Sequence, residues 1–457
     1  MLKINERNNE RHVEVNLNRT SHIPLHTSQR GITLIALIIT IIIMLILVGV
    51  TITVAVNGGL FNYAGRAGKE TNEAIKKEQE LASLEEGLTV DQLIEKYTTP
   101  NYADAKFENG VLTEKAKYTS GDYTAIIPKG FAISNVKEEQ TIANGLVITD
   151  ELDSQGNSIG NEFVWIPVEK AIVTESEIAK IIADSENPDM TPLDAVQSLA
   201  NNGTYPMVVQ VGTDYKGILY EFSGTDTLTA TVYDWASTTS FREPEVLSGY
   251  DTQTNFTKYG LGTYSDNLYQ NAYNQMVKSV ANNGGFYVGR YELSLYTDSE
   301  DNTIKYAQTK KDQNALVSTT WYEIYKYERD YAKYNMNLGV TSEMIWGSQW
   351  DQMMIFVNGK NDGVGVKFYV TEAGSRKSGD SSTTTGNNQA DQVANIFDLE
   401  TSRFEWTQEA YSSNYRNLRG GNYGYSLSAS SRACYYYGAP AENSLSSLSS
   451  RASLYIK

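Results

Sequence analysis

The rhythm of hydrophobic and polar positions changes three times along the chain. Ile32 to Val56 is an uncharged apolar run of 25 residues, long enough as a helix to cross a bilayer core of about 30 Å. Residues 1–31 before it are polar and contain no apolar core. After it, Asn57-Gly58-Gly59 predicts a bend, since each glycine costs about 1 kcal/mol in a helix interior. Leu60, Ala64, Ala67, Thr71, Ala74, Leu81 and Leu88 then recur at helical spacing among Lys and Glu. Such a thin apolar stripe suits a solvated stalk over 57–99. Gly87 ends it, Thr89 and Gln92 have capping-box spacing for a short helix to Tyr97, and Pro100 closes the segment.

From about Asn101 the rhythm becomes that of short strands and turns. Tyr123 to Pro128 and Gly145 to Ile148 are apolar runs between Gly, Asn, Asp and Ser, and read as strands. Glu175 to Asp184 and Pro192 to Ala200 read as short helices. Phe163, Trp165 and Ile166 alternate only partly, as a strand near a core edge would. Phe286, Val288 and Tyr291 fit a strand in which Gly289 permits close backbone approach. Trp346, Trp350, Met353, Met354 and Val357 recur at helical spacing and read as core. The Ser/Thr/Gly/Asn stretch 374–389 reads as a flexible loop, and Arg451 to Ile456 alternates as a last strand. The fold class is therefore α+β: an N-terminal helix and stalk, a β-rich connecting region over 100–160 and a distal domain over 161–457.

Charge and rare residues narrow the chemistry. The formal net charge is −17, and Lys3, Arg7, Arg11, Arg19 and Arg30 against Glu6, Glu10 and Glu14 give residues 1–31 a charge of +2. Subtracting +2 from −17 leaves −19 for the rest, which argues against nucleic acid or an anionic membrane surface as a partner. Basic residues before the apolar run place residues 1–31 in the cytoplasm and everything after Val56 outside the membrane. His12, His22 and His26 all lie before Ile32, so the rest of the chain has no imidazole for a catalytic triad or a histidine-ligated zinc site. Cys434 is the one cysteine, so no internal disulfide forms.

Arg30-Gly31 directly before Ile32-Thr33-Leu34-Ile35 resembles a type IV prepilin leader. That resemblance implies cleavage between Gly31 and Ile32 by a prepilin peptidase, and retention of 32–56 as a membrane or pilin-core helix. Other pilins would then be partners. Ala36 stands where the family usually has glutamate, so the resemblance implies processing more strongly than polymerisation. A plain membrane anchor with a cytoplasmic tail fits the same apolar length.

Further pieces occur in order: Glu162 to Val168, Gly284 to Glu292, Val340 to Glu343, Trp346 to Asp351, Asn395 to Leu399 with Glu405-Trp406-Thr407, and Arg419-Gly420-Gly421. Together they resemble the formylglycine-generating-enzyme-like branch of the C-type lectin fold over about residues 160 to 457, with insertions near 170–280 and 360–390. The resemblance implies that Gly420 and Gly421 adopt backbone conformations that other residues avoid. Formylglycine-generating members use a pair of cysteines, whereas this chain has Cys434 alone, so the expectation is a non-enzyme. The family's calcium-associated motif is matched at Asn395, Asp398, Glu405 and Trp406, but Thr401 and Ser402 replace its Gly and Asn. Calcium at Asn395 and Asp398 is the one cofactor the resemblance carries. The preferred alternative is that these polar groups only cap turns.

Residues 422–448 are mostly Tyr, Ser, Asn, Gly and Ala, with no steady hydrophobic period. Within a lectin-like domain this segment resembles the variable surface of proteins diversified by retroelements. Tyrosine offers rigid amphipathic contact area, and Ser, Gly and Asn offer adaptable hydrogen bonds. The ligand-facing residues implied are Asn422, Tyr423, Tyr425, Ser426, Tyr435, Tyr436, Tyr437, Asn443 and Ser444, with a surface protein or glycan as partner. Arg419, Arg432 and Arg451 are expected as scaffold, because one guanidinium can hold several loop carbonyls. A surface segment without diversification, a structural minor pilin and a formylglycine-type oxidase are the competing readings.

Overall fold

A computed structural model describes residues 105–457. It leaves out 122, 224–228, 233–240, 243, 245–246, 248–250, 360–383, 388–391, 400–401, 413–414, 423–440 and 443. The expected Gly31–Ile32 cleavage site, the 32–56 helix and the 57–99 stalk lie outside the described residues. Among the described residues no helix is long and apolar enough to cross a membrane.

The described residues form a mixed α+β domain. Its main sheet has six antiparallel strands: β1 (Ala132–Ile133), β2 (Val147–Thr149), β3 (Glu162–Pro167), β4 (Gly285–Gly289), β5 (Val340–Met344) and β9 (Ala452–Ile456). Their spatial order is β5-β9-β4-β3-β2-β1. The final strand β9 thus inserts between β5 and β4, with Leu454 opposite both Ser342 and Tyr287. β3 corrects the expectation of a core-edge strand. It lies between β2 and β4, and Phe163, Val164, Trp165 and Ile166 are all buried, so both its faces are covered. The partial alternation reflects that two-sided burial. The connecting region is also not separate, because β1 and β2 belong to this sheet. The hairpin Ala116–Ser120/Tyr123–Ile127 buries Tyr118, Ala125 and Ile127 in the same core.

Local chemistry explains where the helices begin and end. α1 (Glu175–Ala183), α2 (Pro192–Asn201) and α5 (Trp321–Tyr334) each start with a capping box, formed by Thr174/Glu177, Thr191/Asp194 and Thr320/Glu323. α3 (Gln253–Tyr259) is capped by Thr252 and stops at Gly260, in the left-handed region. α4 (Leu268–Asn283) stops at Gly284, where φ is +77°. The adjoining Gly285 is glycine for a different reason. A Cβ there would sit 2.6 Å from the Trp165 ring. α6 (Gly347–Gly359) presents Trp350, Met353, Met354 and Val357, all buried. Trp165, Trp321, Trp346, Trp350 and Trp406 are among the largest fully buried side chains. Complete burial of a large apolar side chain contributes about 1.5–3 kcal/mol, so these rings are scaffold and not ligand contacts.

α1, α2 and the strands between Ile172 and Val232 gather around a second apolar cluster that includes Val173, Ile178, Val196, Val209 and Tyr220. It falls within the expected 170–280 insertion. A buried hydrogen bond from the Tyr220 N–H to Asp351 of α6 ties it to the main core.

Candidate ligand-display site

The Tyr/Ser-rich segment begins and ends on a small second sheet made of β6 (Phe404–Ser412), β7 (Tyr415–Arg419) and β8 (Leu448–Ser450), ordered β7-β6-β8. β6 runs antiparallel to β7 and parallel to β8. Glu405 pairs in register with Arg419 on one side and with Ser449 on the other. At strand spacings of 4.7–4.9 Å, the segment leaves and returns about 10 Å apart. Its ends are therefore set by the platform strand between them.

Buried arginines lock both ends. Arg419 is fully buried; its Nε donates to Glu409 Oε2 (2.7 Å), and its Nη2 donates to Asp351 Oδ1 (2.9 Å) and the Gly347 carbonyl (3.3 Å). Arg451, next to β8, donates to both Glu405 oxygens (3.0 and 2.6 Å) and to the carbonyls of Gly289 and Phe397 (2.7 Å each). One guanidinium thus joins the small sheet, β4 and the Phe397 loop. Bidentate arginine–carboxylate geometry of this kind is strong and orientation-specific. Arg416 makes a third link, from Nη2 to Asp251 Oδ1 (2.8 Å), and lies 4.8 Å over the Trp321 ring. Asp251 also accepts from the Tyr269 and Tyr322 hydroxyls.

The return limb is stitched to the start of α5. The Trp321 N–H donates to the Ala441 carbonyl (3.0 Å), the Ser318 N–H to the Leu445 carbonyl (3.1 Å), and Trp321 Nε1 to the Thr407 carbonyl (2.9 Å). Ser444 and Leu445 are exposed on this limb. Asn422, by contrast, is buried at the base of the departing limb, which removes it from the ligand-facing set. Tyr423, Tyr425, Ser426, Tyr435, Tyr436, Tyr437 and Asn443 lie outside the described residues, as do Arg432 and Cys434. Gly420 has φ +75°, and a Cβ there would meet the Leu399 carbonyl oxygen at 2.6 Å. Gly420 thus bears out its half of the Gly420-Gly421 expectation.

The expected calcium ligands serve other purposes. Asn395 Nδ2 donates to the Gly145 carbonyl (2.7 Å) and the Asn144 carbonyl (3.2 Å), while its Oδ1 accepts from Gln392 (3.0 Å). Asp398 accepts from the Gly386 N–H (2.7 Å), and both residues hold left-handed backbone at φ 62° and 64°. Arg451 acts electrostatically on Asp398 and occupies Glu405. A fixed guanidinium beside these oxygens opposes a divalent cation, so the residues present do not fit calcium. Of the expected flexible loop 374–389 only 384–387 are among the described residues, and of these Thr385 and Gly386 are packed against the domain. Thr385 is buried, and its hydroxyl donates to the Lys310 carbonyl (2.6 Å).

Glu292 completes this layer, accepting from the Ser402 hydroxyl and the Arg403 N–H at 2.8 Å each. Burial pushes the Glu292 carboxyl well above its usual range, and the negative Asp398 and Glu405 push it further. Burial also raises Asp398, and raises Glu405 to about 7 against the pull of Arg451. Three buried carboxyls around one guanidinium therefore retain protons that free carboxyls would lose. Comparison with known protein families and with characterised proteins gives no match.

Proposed function

We propose that the chain is a surface-displayed binding protein, and that residues 423–447 form its ligand-facing segment. Under this reading a prepilin peptidase cuts between Gly31 and Ile32, residues 32–56 anchor the chain in a bacterial membrane or pilus, and 57–99 hold the distal domain away from it. The distal domain is C-type lectin-like, in the formylglycine-generating-enzyme-like style, without that enzyme's chemistry. Its ligand is a surface protein or glycan.

The observation that carries the reading is the double registration of Arg419 and Ser449 on Glu405. A segment whose ends are fixed by buried arginines can change its sequence without disturbing the core beneath. Tyr, Ser, Gly and Asn are the residues that make contact at low ordering cost. Retroelement-type diversification of the segment belongs to the proposal and rests on its resemblance to the variable surface of such proteins.

The test uses cells that produce the full chain. Mass spectrometry of the surface protein gives a new N-terminus at Ile32, and a bulky residue at Gly31 keeps the leader attached. Wild-type cells capture some member of a panel of surface glycans and proteins, and exchange of 423–440 for a Gly/Ser linker of equal length abolishes that capture. A mature chain starting at Met1, or capture that survives the exchange, contradicts the proposal and favours an anchored or structural pilin-like protein.

A further inference from the structure

We infer that the groove between α4 and α5, at the β5 edge of the main sheet, is a second binding site that takes an acidic saccharide. This site is independent of the displayed segment and is built from framework residues. The groove is open and holds about 730 Å³. Its floor includes Ser342 and Glu343 of β5 and Tyr455 of β9. β5 is an end strand of the sheet order, so no further strand covers it among the described residues.

One wall is cationic. Lys326, Arg329 and Lys333 line the groove from α5 at positions i, i+3 and i+7, which share a helix face. Asp330 serves both lysines, at 2.6 Å to Lys326 and 3.3 Å to Lys333. Arg329 differs from the platform arginines. Among the described residues it has no ion pair, whereas Arg416, Arg419 and Arg451 each hold a carboxylate within 2.9 Å. Glu343 acts on Arg329 only electrostatically, and burial pushes the Glu343 carboxyl above its usual range. Its Oε2 is buried without a hydrogen-bond partner. Lys457 also lines the groove, so four cationic side chains face the two carboxyls of Asp330 and Glu343, an excess of positive charge in a chain whose net charge is −17. Arg329 lies over the Tyr325 ring at 5.1 Å and is held by no carboxylate at ion-pair distance among the described residues, which leaves its guanidinium edge available to an anion in the groove.

The opposite wall carries no charged side chain: Leu268 and Ala272 line it together with two amides. Asn271 and Gln275, one helical turn apart, are exposed on α4 and line the groove. Side-chain amides both donate and accept, which suits hydroxyl groups. A ligand with one carboxylate toward α5 and several hydroxyls toward α4 matches both walls. An acidic saccharide has that chemistry, and an apolar molecule does not.

The test titrates the full chain, purified in a nonionic detergent, with digalacturonic acid and with the neutral galactose disaccharide by isothermal calorimetry. The acidic disaccharide binds, and the neutral one binds more weakly by about tenfold, a difference of about 1.4 kcal/mol. Lys326→Gln combined with Lys333→Gln, both at partly or largely exposed positions, lowers affinity for the acidic disaccharide by a similar factor and leaves the melting transition in place. Tyr435→Ser/Tyr436→Ser/Tyr437→Ser leaves this affinity unchanged, which separates the groove from the displayed segment. No binding of the acidic disaccharide at millimolar concentration overturns the proposal. So does equal affinity for the neutral disaccharide, or affinity that the double lysine variant does not alter. Inorganic phosphate that competes as well as the disaccharide would reduce the site to a plain anion site and would also contradict it.

Discussion

The platform that holds the two ends of the Tyr/Ser-rich segment and the groove beside α5 are both built around arginine, yet they treat charge in opposite ways. In the platform, Arg416, Arg419 and Arg451 are buried and each is held by a carboxylate. In the groove, Arg329 is only partly covered and stands beside two lysines that share Asp330. Matched buried charges fix geometry, because breaking one pair leaves the other charge stranded. Unmatched charge at an open edge leaves affinity to spare for a ligand. The difference separates residues that shape the domain from residues free to bind.

The largest effect expected from disturbing this contrast is at Arg451. Arg451→Ala strands Glu405 beside Asp398 and Glu292, and loss of one partner of a buried pair costs about 3–5 kcal/mol. Denaturant unfolding of the full chain checks this. Arg451→Lys rescues little, because an ammonium cannot reproduce the paired bonds to Glu405 and the links to Gly289 and Phe397. A near-normal unfolding midpoint for Arg451→Ala would show that the carboxylate layer relaxes without its cation.

Next in size is Gly420→Ala. Left-handed backbone and a close Leu399 carbonyl together make the substitution destabilising by about 1–3 kcal/mol, read from the same unfolding curves. Gly212→Ala is a useful control, since its φ is +60° but nothing lies within 4 Å of the added Cβ. Backbone strain alone then gives the smaller change. Equal effects at the two sites would remove the close approach from the explanation.

A gentler probe of the platform is pH. Glu405 ordinarily titrates near 4.5 but is held at about 7, and Glu292 and Asp398 are raised with it. Between those values the folded domain binds more protons than the unfolded chain, so stability falls as pH rises through the window and is fuller on its acid side. Exposed capping carboxyls such as Asp194 are shifted downward and act in the opposite sense, but below their usual range and outside this window. Unfolding midpoints should therefore drop from about pH 5 to about pH 8, and Glu292→Gln should flatten the slope. A midpoint that climbs with pH across that interval would contradict the raised carboxyls of this layer.

What could be read from the chain follows the range of the interactions involved. α1, α2 and α6 were legible because helical spacing is a local signal, and Trp346 to Val357 carry it plainly. β9 was legible from its alternation. The membership of β1 and β2 in the main sheet was not, since strand pairing joins Val147 to Val164 and Ile133 to Ile148 without any marker in the sequence. The roles of Arg419 and Arg451 as scaffold were readable from residue type, but their carboxylate partners were not. Glu405 looked like part of a calcium motif and is instead the partner of Arg451, 46 positions away. Asn422 looked like the start of a binding face from composition alone, and its burial depends on the whole platform. Arg329 and the groove gave no signal, because a lysine–arginine face on a helix usually means only a solvated surface.

Separation of binding from stability is what a displayed segment on an independently locked scaffold requires. One paired measurement decides it: capture of surface glycans and proteins by the full chain, and its melting transition, for Tyr435→Ser/Tyr436→Ser/Tyr437→Ser against the wild type. The expected result is loss of capture with stability changed by less than about 0.5 kcal/mol, as for ordinary exposed positions. A triple variant that unfolds would make these rings part of the core. One that folds and still captures every ligand of the wild type would leave 423–447 as plain surface, and either result contradicts the display reading.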